Sequence, residues 1–254
     1  MNKTLLSLAL ACSALAPMVA QAADPDYTLA YNVGLTTDYR YRGITQSRFD
    51  PALSGGIDFT HKSGFYLGTW LSTIKWIKDA GTISGVDTGN ANLEWDLYGG
   101  YKGSITKDLG YDVGILSYVY PGNKYGNIPG GADANTTEIY GALSYNVFTL
   151  KYSHAVTNLF GFGSSTNSGY IDLSASFDLG NGWSVAPHVG HQKIKNNGAF
   201  DYTDYSLTVG KDFGNGFSVA LAAIGTNADK TLYVDPNGKF TGKSTAVLSA
   251  KYTF

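Results

Sequence analysis

From Thr28 to the last residue, apolar and polar side chains alternate with a period of two, the spacing that puts residues i, i+2 and i+4 of a β-strand on one face. In the first segment Tyr31, Val33, Leu35, Thr37, Tyr39 and Tyr41 fall on one face, and Asn32, Gly34, Thr36, Asp38, Arg40 and Arg42 on the other. The same arithmetic separates Leu93, Trp95, Leu97, Gly99 and Tyr101 from Glu94, Asp96, Tyr98, Gly100 and Lys102. It also separates Ile171, Leu173, Ala175 and Phe177 from Asp172, Ser174, Ser176 and Asp178. No 3.6-residue stripe competes with this pattern, so helices are not expected and the fold class is all-β. The alternation predicts twelve strands, near residues 28–42, 51–61, 65–76, 91–102, 111–120, 135–145, 147–158, 169–178, 183–192, 203–212, 217–226 and 244–254. Splitting or joining weak segments such as 51–61 and 217–226 leaves ten or fourteen strands as alternatives.

Short connections at 61–64, 103–110, around Asn146, 179–182 and 213–216 alternate with long ones at 43–50, 77–90, 121–134, 159–168, 193–202 and 227–243. Both ends of the strand series therefore lie on the short-turn side. Residues 178–186 and 212–220 are near-copies, each placing Asn-Gly (Asn181-Gly182, Asn215-Gly216) where a tight hairpin needs positive φ. The repeating unit is a hairpin, and the topology an antiparallel up-and-down sheet.

A soluble sandwich would also alternate, so the position of the aromatics decides. Rings bracket the short turns as Phe59 and Phe65, Tyr101 and Tyr111, Tyr145 and Phe148, Phe177 and Trp183, and Phe213 and Phe217. Such a row suits a membrane interface, where a ring keeps one edge apolar and the other wet. Closing the sheet removes strand edges whose backbone groups lipid could not satisfy. At the N-terminus Lys3, the apolar run Leu5 to Ala16 and the small-residue site Ala20-Gln21-Ala22 read as a secretory signal peptide, residues 1–22, cleaved after Ala22. That run is shorter than the roughly 20 residues a spanning helix needs. Cys12, the single cysteine, lies inside it, so residues 23–254 have no disulfide or thiolate, and their formal charge goes from -2 to -3 with the loss of Lys3. No basic patch for nucleic acid is present. The expectation is a transmembrane antiparallel up-and-down β-barrel in a Gram-negative outer membrane, in contact with lipid and lipopolysaccharide. The alternation runs to Tyr252 and Phe254, and a terminal Phe on an alternating strand resembles the signal read by the barrel assembly machinery.

The run Thr37-Asp38-Tyr39-Arg40-Tyr41-Arg42-Gly43-Ile44-Thr45-Gln46-Ser47 is followed by Asp50-Pro51-Ala52-Leu53-Ser54-Gly55-Gly56 and Ser63-Gly64-Phe65-Tyr66-Leu67-Gly68-Thr69-Trp70. With Glu94-Trp95-Asp96-Leu97-Tyr98-Gly99-Gly100-Tyr101 and Tyr118-Val119-Tyr120-Pro121-Gly122, these blocks resemble, in order, the TorF-type porins of proteobacteria. The resemblance implies an outer-membrane barrel with a transport role.

Turning the apolar face toward lipid leaves Asp38, Arg40, Arg42, Asp58, Glu94, Asp96, Lys102, Asp112, Glu138, Lys151, Asp172, Asp178, Asp204, Asp212 and Lys251 facing the lumen. Ten of these are acids and five are bases, which predicts a channel for small hydrophilic solutes with a weak preference for cations or zwitterions. Asp38, Arg40, Arg42, Asp58, Glu94, Asp96, Glu138, Lys151, Asp172 and Asp204 are the pore-lining candidates. In the alternative reading Arg40, Arg42, Glu94 and Asp96 pair across strands and occlude the lumen, leaving a structural or adhesion barrel that works through its outer loops. Tyr66, Trp70, Tyr98, Tyr118 and Tyr140 also point inward, to fill volume or to stack on sugar-like faces. A barrel enzyme acting on lipid would need a histidine with a serine and an acid. His188 and His191 fall on opposite faces and cannot share a metal, His154 has no serine at matching parity, and His61 sits in a turn. No enzymatic activity, cofactor or metal is expected.

Overall fold

The computed structural model describes residues 25–254; the signal-peptide reading of 1–22 and Cys12 falls outside them. Twelve antiparallel strands follow one another around a closed barrel: β1 (Tyr27–Thr36), β2 (Ala52–His61), β3 (Phe65–Thr73), β4 (Leu93–Ser104), β5 (Leu109–Val119) and β6 (Thr136–Tyr145). The second half is β7 (Phe148–Ala155), β8 (Gly169–Ala175, continued as Phe177–Gly180), β9 (Trp183–Lys193), β10 (Tyr202–Asp212), β11 (Phe217–Thr226) and β12 (Thr245–Thr253). Each strand pairs with its neighbours in sequence, and β12 closes the ring on β1 from Asn32↔Thr253 to Thr36↔Ser249. The interruption in β8 lies beside Pro187 of β9, which has no N–H to give the ladder. The register is the same on both sides of it, Ser174↔His188 and Phe177↔Val185.

Side-chain alternation sets the two faces of the wall. Leu35, Leu143 and Leu221 are 56%, 52% and 52% exposed, whereas Glu94 and Glu138 are 1% exposed. The protein is thus apolar outside and charged inside. Rings gather around the short turns, with Tyr27 stacked on Phe59, Tyr101 on Tyr111 and Phe213 on Phe217. Among the described residues no helix is long and apolar enough to cross a membrane, and the strands are what could span.

Two expectations are corrected. The first strand ends at Thr36, not at residue 42, because the chain turns inward. Arg40–Tyr41 and Ile44–Thr45 form a small hairpin whose tip, Arg42 and Gly43, has φ of 46° and 79°. The connection between β3 and β4 contains a helix, α1 (Trp76–Ser84), where the end of a strand at residue 76 and then only loop were expected. The backbone N–H groups of Lys75 and Trp76 donate to Gln46 O, docking the helix start on the inturned segment. Gly85, at φ 69°, ends the helix by donating its N–H to Gly81 O. Ile77 of α1 packs with Ile74, Ala91, Tyr118, Tyr120 and Ala134, and a second buried cluster joins Ala155, Leu159 and Ile194. The buried apolar packing therefore lies at the long-loop end of the barrel.

Candidate functional site: the barrel interior and its inturned segment

The candidates divide between the inturned segment and the wall. Asp38, Arg40 and Arg42 are inside the barrel, as expected, but they reach it from the segment after β1 rather than from a strand. Arg40 Nε lies 2.7 Å from Asp38 Oδ2, and Arg40 Nη1 donates to Gly43 O at 2.8 Å. Thr45 and Ser47 hydroxyls donate to Asp38 Oδ1. These bonds make Asp38 and Arg40 internal struts of the hairpin.

Arg42 reaches across to the wall. Nη2 is 2.8 Å from Glu138 Oε2 on β6 and Nη1 is 2.6 Å from Gln192 Oε1 on β9, while the guanidinium sits 4.1 Å from the Tyr170 ring centre and 4.8 Å from that of Tyr41. The cross-barrel pair expected for occlusion thus has a different acid, Glu138 rather than Glu94 or Asp96. Glu94 instead accepts from the hydroxyls of Tyr39 and Tyr120. Tyr39 and Tyr41, which share parity with the lipid-facing residues of β1, are interior. Tyr39 packs edge-on against Trp70 at 5.3 Å, and Tyr41 packs against Tyr118 at 5.4 Å and bonds to its hydroxyl.

The remaining candidates sit on strands. Asp96 and Asp204 are buried, whereas Asp58, Lys151 and Asp172 are half-buried. Asp58 accepts from Tyr98 and from Asn32 Nδ2, Lys151 lies 3.9 Å over the Tyr140 ring, and His188 is held between Asp172 and Asp204. Tyr170 donates to Asp204 at 2.9 Å. Asn32, Gly56, Trp70 and Asp96 occupy one register row across β1 to β4. In that row Asn32 Oδ1, Trp70 Nε1 and Asp96 Oδ1 are buried with no hydrogen-bond partner, as is Glu138 Oε1 on β6. Orphaned polar atoms carry a desolvation cost and mark a place where polar groups from elsewhere would be welcome.

The inward tyrosines do not simply fill the lumen. A Cβ built at Gly68 would lie 2.2 Å from the Tyr98 ring, at Gly100 2.5 Å from the Tyr66 hydroxyl and at Gly114 2.6 Å from the Tyr140 hydroxyl. Each ring lies across a glycine of a neighbouring strand, where a Cβ would not fit. Interior residues that sequence parity missed or left without a role include Tyr39, Tyr41, Tyr120, Tyr170 and Gln192. Tyr120, Tyr170 and Gln192 carried the inward parity that could have found them; Tyr39 and Tyr41 did not.

No metal-binding group of three or more His, Cys, Asp or Glu side chains occurs among the described residues. His61 Nδ1 meets Ser63 Oγ at 2.8 Å, His154 Nε2 meets Asn167 at 3.1 Å and His191 Nδ1 meets Thr203 at 3.0 Å.

A model of a bacterial protein family of unknown function, Gcw_chp, matches residues 20–254. The chain belongs to the Gcw_chp family. No curated protein matches it. Among solved structures it is similar to the KdgM porin, at 8% identity and a TM-score of 0.54, covering 89% of this chain and 98% of that one. It is also similar to the NanC porin, at 10% identity and a TM-score of 0.50 over 89% and 98%, and to an outer membrane channel from Pseudomonas putida F1, at 13% identity and 0.51 over 92% and 99%. At these identities the likeness establishes the fold, a closed twelve-stranded barrel shared with outer-membrane porins.

Proposed function

We propose that this Gcw_chp protein is an outer-membrane channel for passive diffusion of small hydrophilic solutes, with its long loops outside and its short turns in the periplasm. The observation that carries the reading is the division of the wall, with a leucine-rich exposed outer face and an inner face bearing Glu94, Asp96, Glu138, Asp172 and Asp204. A soluble barrel has no use for such inversion, and a lipid-embedded one requires it. The porin fold of its structural neighbours and the in-order TorF-type blocks favour the same function and location. One neighbour, the KdgM porin, was solved with oligogalacturonate, a polyanion. The acid excess inside this barrel favours cations and zwitterions instead, because charged rings select through their local field.

The occluded barrel is the second reading, and the Arg42 bridge to Glu138 and Gln192 favours it. The barrel-enzyme reading has less support, since the histidine contacts assemble no serine–histidine–acid relay. Liposome swelling with the folded barrel separates them. Faster entry of arginine or glycine than of gluconate is expected; preferential gluconate entry would overturn the selectivity, and no swelling with any solute would favour occlusion.

A further inference from the structure

The long-loop half of the lumen is occupied by a piece of the chain itself. Tyr39 puts its ring against Trp70 and its hydroxyl on Glu94, and Arg42 puts its guanidinium on Glu138 and Gln192 under the Tyr170 ring. These wall groups form two subsites. One is an aromatic slot ending in a carboxylate; the other is a carboxylate–amide fork roofed by a ring face, the combination that holds guanidinium and ammonium groups.

The wall residues are built for a cation that the wall does not bond. Glu94, Asp96 and Glu138 are 1%, 4% and 1% exposed, and the cation paired with Glu138 is Arg42, supplied by the inturned segment and not by the wall. Asp96 Oδ1 and Glu138 Oε1 still have no hydrogen-bond partner. The segment that supplies the cation is held under strain, because Arg42, at φ 46°, occupies the first position of a tight turn that favours asparagine or glycine. A strained hairpin held by wall contacts, inside the connection between β1 and β2 rather than within the sheet, has the properties of a tethered ligand.

We propose that residues 38–43 are a tethered stand-in for the transported solute, and that Trp70, Glu94, Glu138, Tyr170 and Gln192 form a selectivity site for solutes pairing an aromatic ring with a cationic group, short basic peptides above all. This rests on the channel reading. A tether of this kind presents its groups at millimolar effective concentration. A solute's apparent affinity is reduced by the fraction of barrels in which the hairpin is seated.

The test is single-channel current through the folded barrel with acetyl-Asp-Tyr-Arg-Tyr-Arg-Gly-amide added on the long-loop side. The same peptide with Glu in place of each Arg is the control. The basic peptide interrupts the current at a concentration at least tenfold lower than the acidic one. Arg42→Ala removes the tethered competitor and leaves the wall intact, so block by the basic peptide strengthens at least tenfold. Glu138→Gln also releases the hairpin but removes the wall carboxylate, so block weakens at least tenfold relative to Arg42→Ala. Should Arg42→Ala fail to fold, Tyr39→Ala carries the same expectation, since Tyr39 fills the other subsite. Equal block by both peptides would overturn the proposal, as would block in Glu138→Gln as strong as in Arg42→Ala. Conduction without block by either peptide overturns it while leaving the channel reading intact. Silence from folded wild-type, Arg42→Ala and Glu138→Gln barrels overturns the channel reading itself.

Discussion

At the scale of single residues, Gly43 and Arg42 decide how the inturned hairpin is held. Gly43 has φ 79°, and a Cβ there would lie 2.8 Å from both Asp204 Cβ and Thr226 Cγ2 on the wall. Gly122 has φ 77° with nothing within 4 Å of its Cβ position. Both substitutions to alanine carry the left-handed backbone cost of about 1–2 kcal/mol, and only Gly43→Ala adds a wall clash. The Gln46 amide, which donates to Tyr39 O at 2.7 Å, should therefore exchange at least about tenfold faster in Gly43→Ala. Gly122→Ala should leave it unchanged, and equal exchange in the two variants would contradict the packing of the hairpin tip. Arg42→Glu would place a second carboxylate against Glu138 in a buried site, where losing one member of an ion pair costs about 3–5 kcal/mol. The hairpin is expelled, conductance and cation preference rise, and the wall, which does not depend on Arg42, still assembles. Unchanged selectivity in a conducting Arg42→Glu barrel would contradict its placement.

At the scale of elements, the strands were legible because a closed wall with an apolar outer face and a charged inner face imposes period two along each strand. Each strand predicted over 51–61, 135–145 or 217–226, for example, coincides with an observed one to within a residue. The first strand was overextended because Asp38, Arg40 and Arg42 continue its alternation into a hairpin that is itself a two-residue ladder. Period two cannot tell a wall from a hairpin standing inside it. The helix Trp76–Ser84 was missed because it lies in a connection and packs its buried residues against other loops and rim residues, so its face is set by long-range contacts. The near-copied turns differ at one position: Gly180 and Gly182 match Gly214 and Gly216 in having positive φ, but Asn181 has it and Asn215 does not. The long loops are tied to one another electrostatically. Asp87 accepts from the Gly89 N–H and pairs with Lys124 at 3.0 Å, which together hold its carboxyl below the usual range. A lowered folded pKa means that this tie is fully present above the ordinary aspartate range and is lost as pH falls through the lowered value. Protection of the Gly89 amide, its exchange rate compared with the intrinsic rate at the same pH, should fall on acidification from pH 5 toward pH 2, and Asp87→Asn should remove that dependence.

At the scale of the whole molecule, the barrel is one closed sheet whose seam joins the first and last strands. Phe254 donates its N–H to Tyr31 O at 2.8 Å across the seam, and its ring packs edge-on to Tyr252 at 4.9 Å on the outer surface. Deleting Phe254 removes one bond at the sheet's end and the terminal ring proposed as the assembly signal. The amount inserted in the outer membrane should fall while single-channel behaviour stays the same; normal insertion would contradict the assembly role. The inside-out wall was legible from sequence parity. Which charges meet inside it was not, because Arg42, Glu138 and Gln192 come from three separated stretches of chain that only barrel closure and the inturned hairpin bring together. The central claim is that this wall encloses an acidic, water-filled path. Planar-bilayer recording of the refolded chain in a salt gradient tests it most directly: stepwise conductance with a cation-selective reversal potential is predicted, and silence from a folded, heat-modifiable barrel, or an anion-selective potential, would contradict it.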